Sequence, residues 1–138
     1  MAERELARAL EHESGLLGLA GTADMREVVA RAGDGDEVAR LALDVYEYRL
    51  RSGIASMSAA LGGLDALVFT GGVGENAPEV RAAAALGLRF LGVGVDPARN
   101  DGEGEREIGD RDARVRTLVI IAREDLQIAC EVRQVLGV

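Results

Sequence analysis

Glycines, a carboxylate and an asparagine stand together in the run Leu64 to Glu79, LDALVFTGGVGENAPE, and there this sequence has the residue types for ligand chemistry. Gly71, Gly72 and Gly74 can take positive φ and leave no Cβ between backbone and ligand. The apolar run before them and Pro78 after them read as strand, loop and helix, and the first-turn N–H groups of a helix are open to an anion. A nucleotide phosphate fits this corner, and so does a tight turn between strand and helix with no ligand at all. The spacing is neither GxGxxG nor GxxxxGK followed by Ser or Thr, and the chain has no lysine, so a P-loop is excluded.

A second set of polar groups, Glu124 and Asp125, follows the apolar run RTLVII at Arg116 to Ile121. In an open α/β sheet ligands bind beyond the carboxyl ends of the strands, so the corner with Glu75 and Asn76 and the corner with Glu124 are expected to face one crevice. A carboxylate beside phosphate repels it unless Mg²⁺ intervenes. The plainer account of Glu124 and Asp125 is favourable charge at a helix N-terminus. By spacing alone, Thr22 or Asp24 caps the helix that follows, with Glu27 three residues after Asp24 as in a capping box, and Asp24 and Arg26 read as capping and surface pairing. His12 is the only histidine, which excludes His pairs and HExxH sites, and it reads as a helix C-terminal residue. Cys130 is the only cysteine, so no internal disulfide or cysteine-based zinc site can form; its apolar neighbours predict a core or partly buried thiol.

The elements that would position these groups follow from periodicity. Residues 2 to 11 predict a short amphipathic helix, and the glycines of residues 14 to 27 break it. Residues 36 to 61 carry the strongest helical pattern, with Val38, Leu41, Val45 and Tyr48 on one stripe and Leu50, Ile54, Met57 and Leu61 continuing it. The drift between the two sets, with Gly53, predicts a bend, and Gly62 and Gly63 close the helix. Ala66 to Phe69 lack alternation, which predicts a strand buried on both faces. Pro78 opens a helix that stops at Gly87, and Asp96 and Pro97 make a turn. Residues 100 to 112 form a solvated loop or weak hairpin, and residues 123 to 136 form a closing helix with Leu126, Ile128, Ala129, Val132 and Val135 inward. The sum is one α/β layer domain.

Composition narrows the partners. A net charge of -8 with sixteen scattered arginines disfavours nucleic acid and anionic membrane. No apolar stretch reaches membrane-spanning length, and the N-terminus resembles a helix rather than a signal peptide, so a reducing, cytoplasmic setting is expected. With 3% aromatic residues and no Trp, the core is expected to be Leu, Val, Ala and Ile.

Three blocks taken together, ESGLLGLAGTADMRE (13 to 27), DALVFTGGVGENAPEVR (65 to 81) with LGLRFLGVGVDPARN (86 to 100), and REDLQIA (123 to 129), resemble the C-terminal part of acetate kinases, in the same order. The resemblance covers nearly the whole chain but about the last third of the family's. It implies a partial actin-like ATPase domain, ribonuclease H-like, with a sheet flanked by helices. It also implies that residues 1–138 are a C-terminal nucleotide-binding segment, the N-terminal domain being absent from this sequence. Carried over by position, Asp24, Met25 and Arg26 line the adenosine side of the nucleotide pocket, as do Gly72, Val73, Gly74, Glu75 and Asn76, and Glu124 is the Mg²⁺ ligand. The implied partners are ATP and ADP, acetate and acetyl phosphate, Mg²⁺ as cofactor, and a second copy in a homodimer. Acetate-binding and catalytic residues belong to parts of the family outside this sequence, so no catalytic residue is expected here and the isolated chain is expected to be inactive. Ile121, Ala122 and Arg123 replace the family's common Pro-Thr-(Asn/Asp), and Ala20 stands where Ser is usual. A non-catalytic dimerisation module, or part of a propionate or butyrate kinase, are the alternatives.

Overall fold

The structure, a computed structural model, describes residues 3–137. Four helices come first: α1 (Glu3–His12), α2 (Gly15–Ala20), α3 (Met25–Gly33) and α4 (Glu37–Leu61). Then follow β1 (Ala66–Phe69), α5 (Gly71–Asn76), α6 (Pro78–Gly87), a 3₁₀ turn (Arg89–Leu91), α7 (Pro97–Asn100), β2 (Arg106–Glu107), β3 (Arg116–Val119) and α8 (Glu124–Leu136).

One side chain fixes how α2, α3 and α4 meet. Asp36 Oδ1 caps α4 by accepting from the N–H groups of Val38 and Ala39, at 2.9 and 3.1 Å. Its Oδ2 accepts from Arg31 of α3 at 2.7 and 2.9 Å, and Arg31 also donates to the Ala20 carbonyl at the end of α2. At the other end Gly62, with φ 74°, lets its own N–H reach Ala59 O and that of Gly63 reach Ser58 O, the C-cap that the two glycines predict.

Helix α4 is a single run of 25 residues that continues through Gly53 without a break. The predicted stripe is also displaced: Val38, Leu41, Val45 and Tyr48 are exposed, whereas Ala39, Ala42 and Leu43 are buried. The alanines win because they let α3 approach closely, placing Val28 and Ala32 against Ala39, Ala42 and Leu43. Ala77 and Val80 of the α5–α6 region close the same cluster.

The sheet has order β1-β3-β2, with β1 and β3 parallel from Ala66↔Arg116 to Phe69↔Val119 and β2 antiparallel to β3. It is covered on one face. Leu67, Phe69, Thr117 and Val119 share that face, where Ala84 of α6, Leu50 of α4 and Ile108 pack with Phe69 and Val119. On the other face Val68 is 45% exposed, which corrects the expectation of a strand buried on both sides. The closing helix is corrected too. No described residue of α8 is buried, Leu126, Ile128, Val132 and Val135 are all exposed, and so is Cys130. Periodicity identified the apolar face of α8, but no described element covers it. Strand β3 ends at Val119, and Ile120 and Ile121 are exposed beyond it.

Candidate functional site

The glycine corner is not a loop. Residues Gly71–Asn76 form the short helix α5, directly after β1. Of its glycines only Gly71 has positive φ (70°). Gly74 is favoured for a different reason: a Cβ there would lie 3.2 Å from the carbonyl carbon of Phe69, a tight approach to backbone. Gly72 has open space where a side chain would stand.

Glu75 ties the two strand ends together. Its Oε1 accepts from the N–H of Gly71, just past β1, at 2.7 Å, and from that of Ala122, just past β3, at 2.8 Å. One carboxylate oxygen thus joins the corner to the segment that leads into α8, and the two corners are neighbours at the carboxyl ends of a parallel pair. The side chain of Thr70 makes no cap, so Glu75 supplies the acceptor that the start of α5 needs.

Asp24 caps α3. Its Oδ1 accepts from the N–H of Arg26 at 2.9 Å and from Arg26 Nε at 3.0 Å, and its Oδ2 accepts from Arg26 NH2 at 2.6 Å. The Arg26 hydrogen bonds hold the Asp24 carboxyl down at about 2, against an ordinary value of 3.8. The capping box is not formed: the Asp24 N–H donates to Thr22 Oγ1, while Glu27 pairs with Arg31 at 3.6 Å. Capping and surface pairing, read from spacing, therefore describe Asp24 and Arg26 in this structure, and both residues also border a cleft.

That cleft, about 990 Å³, runs between α3 and α5. Asp24, Met25 and Arg26 line one wall, and Gly72, Val73 and Asn76 the other. Leu16, Val29 and Ala77 make its floor largely apolar. Two of the eight residues expected around a nucleotide, Gly74 and Glu75, do not border it: the first packs on Phe69 and the second braces the strand ends. Asn76 Nδ2 donates to the Gly72 carbonyl at 2.8 Å, which keeps the amide folded back over α5.

Glu124 stands exposed in the first turn of α8, two residues beyond the Ala122 N–H that Glu75 holds. Among the described residues no three His, Cys, Asp or Glu cluster as a metal site. A lone carboxylate is nevertheless compatible with Mg²⁺, which is commonly held by one or two carboxylates with water and substrate phosphate completing its shell.

Two residues that sequence reasoning passed over shape the corner. Arg81 is 1% exposed, and Asn100 is buried against it. A signal existed: Arg81 lies among Ala77, Val80, Ala84, Ala85 and Leu88, on the stripe that α6 buries. His12 lies in the last turn of α1, 3.7 Å from Glu11 and apart from the cleft lining.

A small sheet flanked by helices, with a cleft at the strand ends, is the architecture of part of an actin-like ATPase domain. The chain belongs to the Acetokinase family, whose model matches residues 1–130. It is 49% identical over 132 residues to an acetate kinase of Leifsonia xyli subsp. xyli, covering 94% of this chain and 33% of that protein. It is 48% identical to an acetate kinase of Syntrophobacter fumaroxidans, covering 93% and 32%. Among solved structures, the Porphyromonas gingivalis acetate kinase superposes with a TM-score of 0.89 at 33% identity, over 99% of this chain and 35% of that one. A propionate kinase from Francisella tularensis subsp. tularensis gives 0.87 at 38% identity, over 94% and 33%. The chain thus spans about a third of the length of the relatives it matches. Among the described residues no helix is long and apolar enough to cross a membrane.

Proposed function

We propose that the cleft between α3 and α5 is one wall of an ATP site, and that this chain is the nucleotide-binding C-terminal part of an acetate kinase. The observation that carries the reading is the convergence of residues 24–26 with residues 72, 73 and 76, distant in sequence, on one cleft. Its apolar floor of Leu16, Val29 and Ala77, with Met25 and Val73 on the walls, suits a flat base, and the Asp24–Arg26 pair with Asn76 gives polar groups at the rim for a ribose. Gly74 and Glu75 hold the shape of that wall.

The reaction of the whole enzyme is transfer of the ATP γ-phosphoryl group to acetate, giving acetyl phosphate and ADP. In such transfer the protein contributes positioning and charge neutralisation more than covalent chemistry. This chain would orient the nucleoside and offer Mg²⁺ the Glu124 carboxylate; Mg²⁺, when bound with the nucleotide, supplies charge neutralisation. A titration of the 138-residue chain with MgADP is expected to show one site and no acetyl phosphate turnover. Absence of binding would remove the nucleotide reading, and measurable turnover would remove the claim that this chain is catalytically incomplete.

Propionate as acyl acceptor is a second reading, favoured by the likeness to the propionate kinase structure. An assembly role is a third, favoured by the exposed stripe Val38, Leu41, Val45 and Tyr48. Light scattering that finds only monomer would dispose of the latter.

A further inference from the structure

A buried arginine holds the corner in shape from behind. Pro78 has no N–H, so the Gly74 carbonyl, four residues earlier, loses the donor that a continuing helix would give it. The backbone then turns at Ala77 (φ -119°, ψ 83°), which leaves the Glu75 carbonyl outside the ladder as well. Arg81 NH1 donates to both carbonyls, at 2.9 Å each. Its Nε donates to Asn100 Oδ1 at 2.8 Å and its NH2 to the Asn100 carbonyl at 2.6 Å. Asn100 Nδ2 closes the ring by donating to the Pro78 carbonyl at 2.8 Å. The charge of Arg81 is met by carbonyl dipoles, at the C-terminal ends of α5 and α7. Arg106 shares the Asn100 carbonyl at 2.9 Å, so the 93–115 segment is coupled to the same point.

We propose that Arg81, oriented by Asn100, is a positioning residue for the nucleotide wall, holding the α5 backbone so that Gly72, Val73 and Asn76 face the cleft. The proposal rests on the nucleotide reading for its purpose, but its structural part can be tested without ligand. The geometry asks for a planar fork with separated donors, which a lysine ammonium does not supply.

The test compares the parent 138-residue chain with Arg81→Lys, Asn100→Leu and, as control, Leu88→Ala, a buried truncation in a separate core cluster. Amide hydrogen exchange is read at residues 71–76 against α3 in the ligand-free chains, and MgADP affinity by calorimetry. Arg81→Lys is expected to speed exchange at 71–76 about tenfold or more beyond any change in α3, and to weaken MgADP by about tenfold or more, the effect of losing buried charged hydrogen bonds. Leu88→Ala is expected to shift exchange in both regions alike and leave affinity per folded molecule unchanged. If Arg81→Lys does not fold, Asn100→Leu, which keeps the arginine but removes its Oδ1 acceptor, is expected to show the same local effect. Exchange at 71–76 that moves no more than α3 in whichever variant folds overturns the role of Arg81. A parent that binds no MgADP while the local exchange effect is present overturns the nucleotide reading and leaves the positioning role standing.

Discussion

Gly72 and Gly74, two residues apart on α5, respond to a side chain for opposite reasons. At Gly72 nothing lies within 4 Å of an added Cβ and φ is not in the left-handed region. Gly72→Val is therefore expected to keep the fold while its branched side chain enters the cleft, lowering MgADP affinity by about tenfold or more. At Gly74 the added Cβ meets Phe69 backbone at 3.2 Å, so Gly74→Ala is expected to destabilise by about 1–3 kcal/mol, the usual result of overpacking. Denaturant unfolding and calorimetry separate the two; a Gly72→Val chain that binds like its parent makes the corner a turn and nothing more. The glycines' importance was legible in the sequence, but their division of labour was not. Only Gly71 uses the positive φ that all three allow, and Gly74 answers to a close approach that spacing cannot display. Glu75 likewise reads as a ligand by its place in the motif, yet both its known bonds go to backbone N–H groups on separate strand ends.

Helix α3 carries a pH dependence of defined sign. The Asp24 carboxyl is depressed to about 2 by Arg26, so its contribution is fully present above the ordinary value of 3.8 and is lost as pH falls through about 2. Asp36 and Glu107 are depressed as well, the first by the Ala39 N–H and Arg31, the second by Arg116, and they add to the same acid limb. Asp24→Asn retains a capping oxygen but has no charge to lose. Its stability is expected to fall less steeply than the parent's as pH drops from about 4 to about 2, the interval set by the two pKa values. Parallel curves for parent and variant would show that Asp24 is not the group responsible. Caps of this kind were readable in advance: Asp24, Gly62 and Gly63 act locally, within a few residues of where they stand. Faces were not. In α4 the large residues Val38, Leu41, Val45 and Tyr48 resemble an inward stripe, and the small Ala39 and Ala42 were chosen by the neighbour α3. A hydrophobic pattern states that a helix has a side to cover, and the covering element is a tertiary fact.

At the scale of the whole molecule, the core lies on one side of the sheet. Alanine-rich helix contacts, Phe69 with Ile108 and Val119, and Leu88 with Val93 and Val115 account for the clusters, and α8 takes part in none of them. If α8 packed as its sequence pattern suggests, burying Leu126, Ile128, Val132 and Val135 would contribute about 1.5–3 kcal/mol apiece, and removing the helix would unfold a marginal domain. In this structure all four are exposed, and the side-chain bond of α8, Gln127 to Glu131, stays within the helix. A chain ending at Arg123 is therefore expected to unfold within about 0.5 kcal/mol of the parent, the range of surface changes. Amides of α8 are expected to exchange as a fraying helix while those of α3 and α6 remain protected. The Glu75 bond to the Ala122 N–H lies before the cut, so the brace between the strand ends, and with it the α3–α5 cleft, should survive. ADP affinity unchanged by the truncation in the absence of Mg²⁺ would then assign nucleoside binding to the cleft, while a loss confined to MgADP would keep Glu124 as its Mg²⁺ ligand and no loss at all would remove that role. A loss of several kcal/mol on truncation would instead mean that α8 folds back on the open face of the sheet in solution.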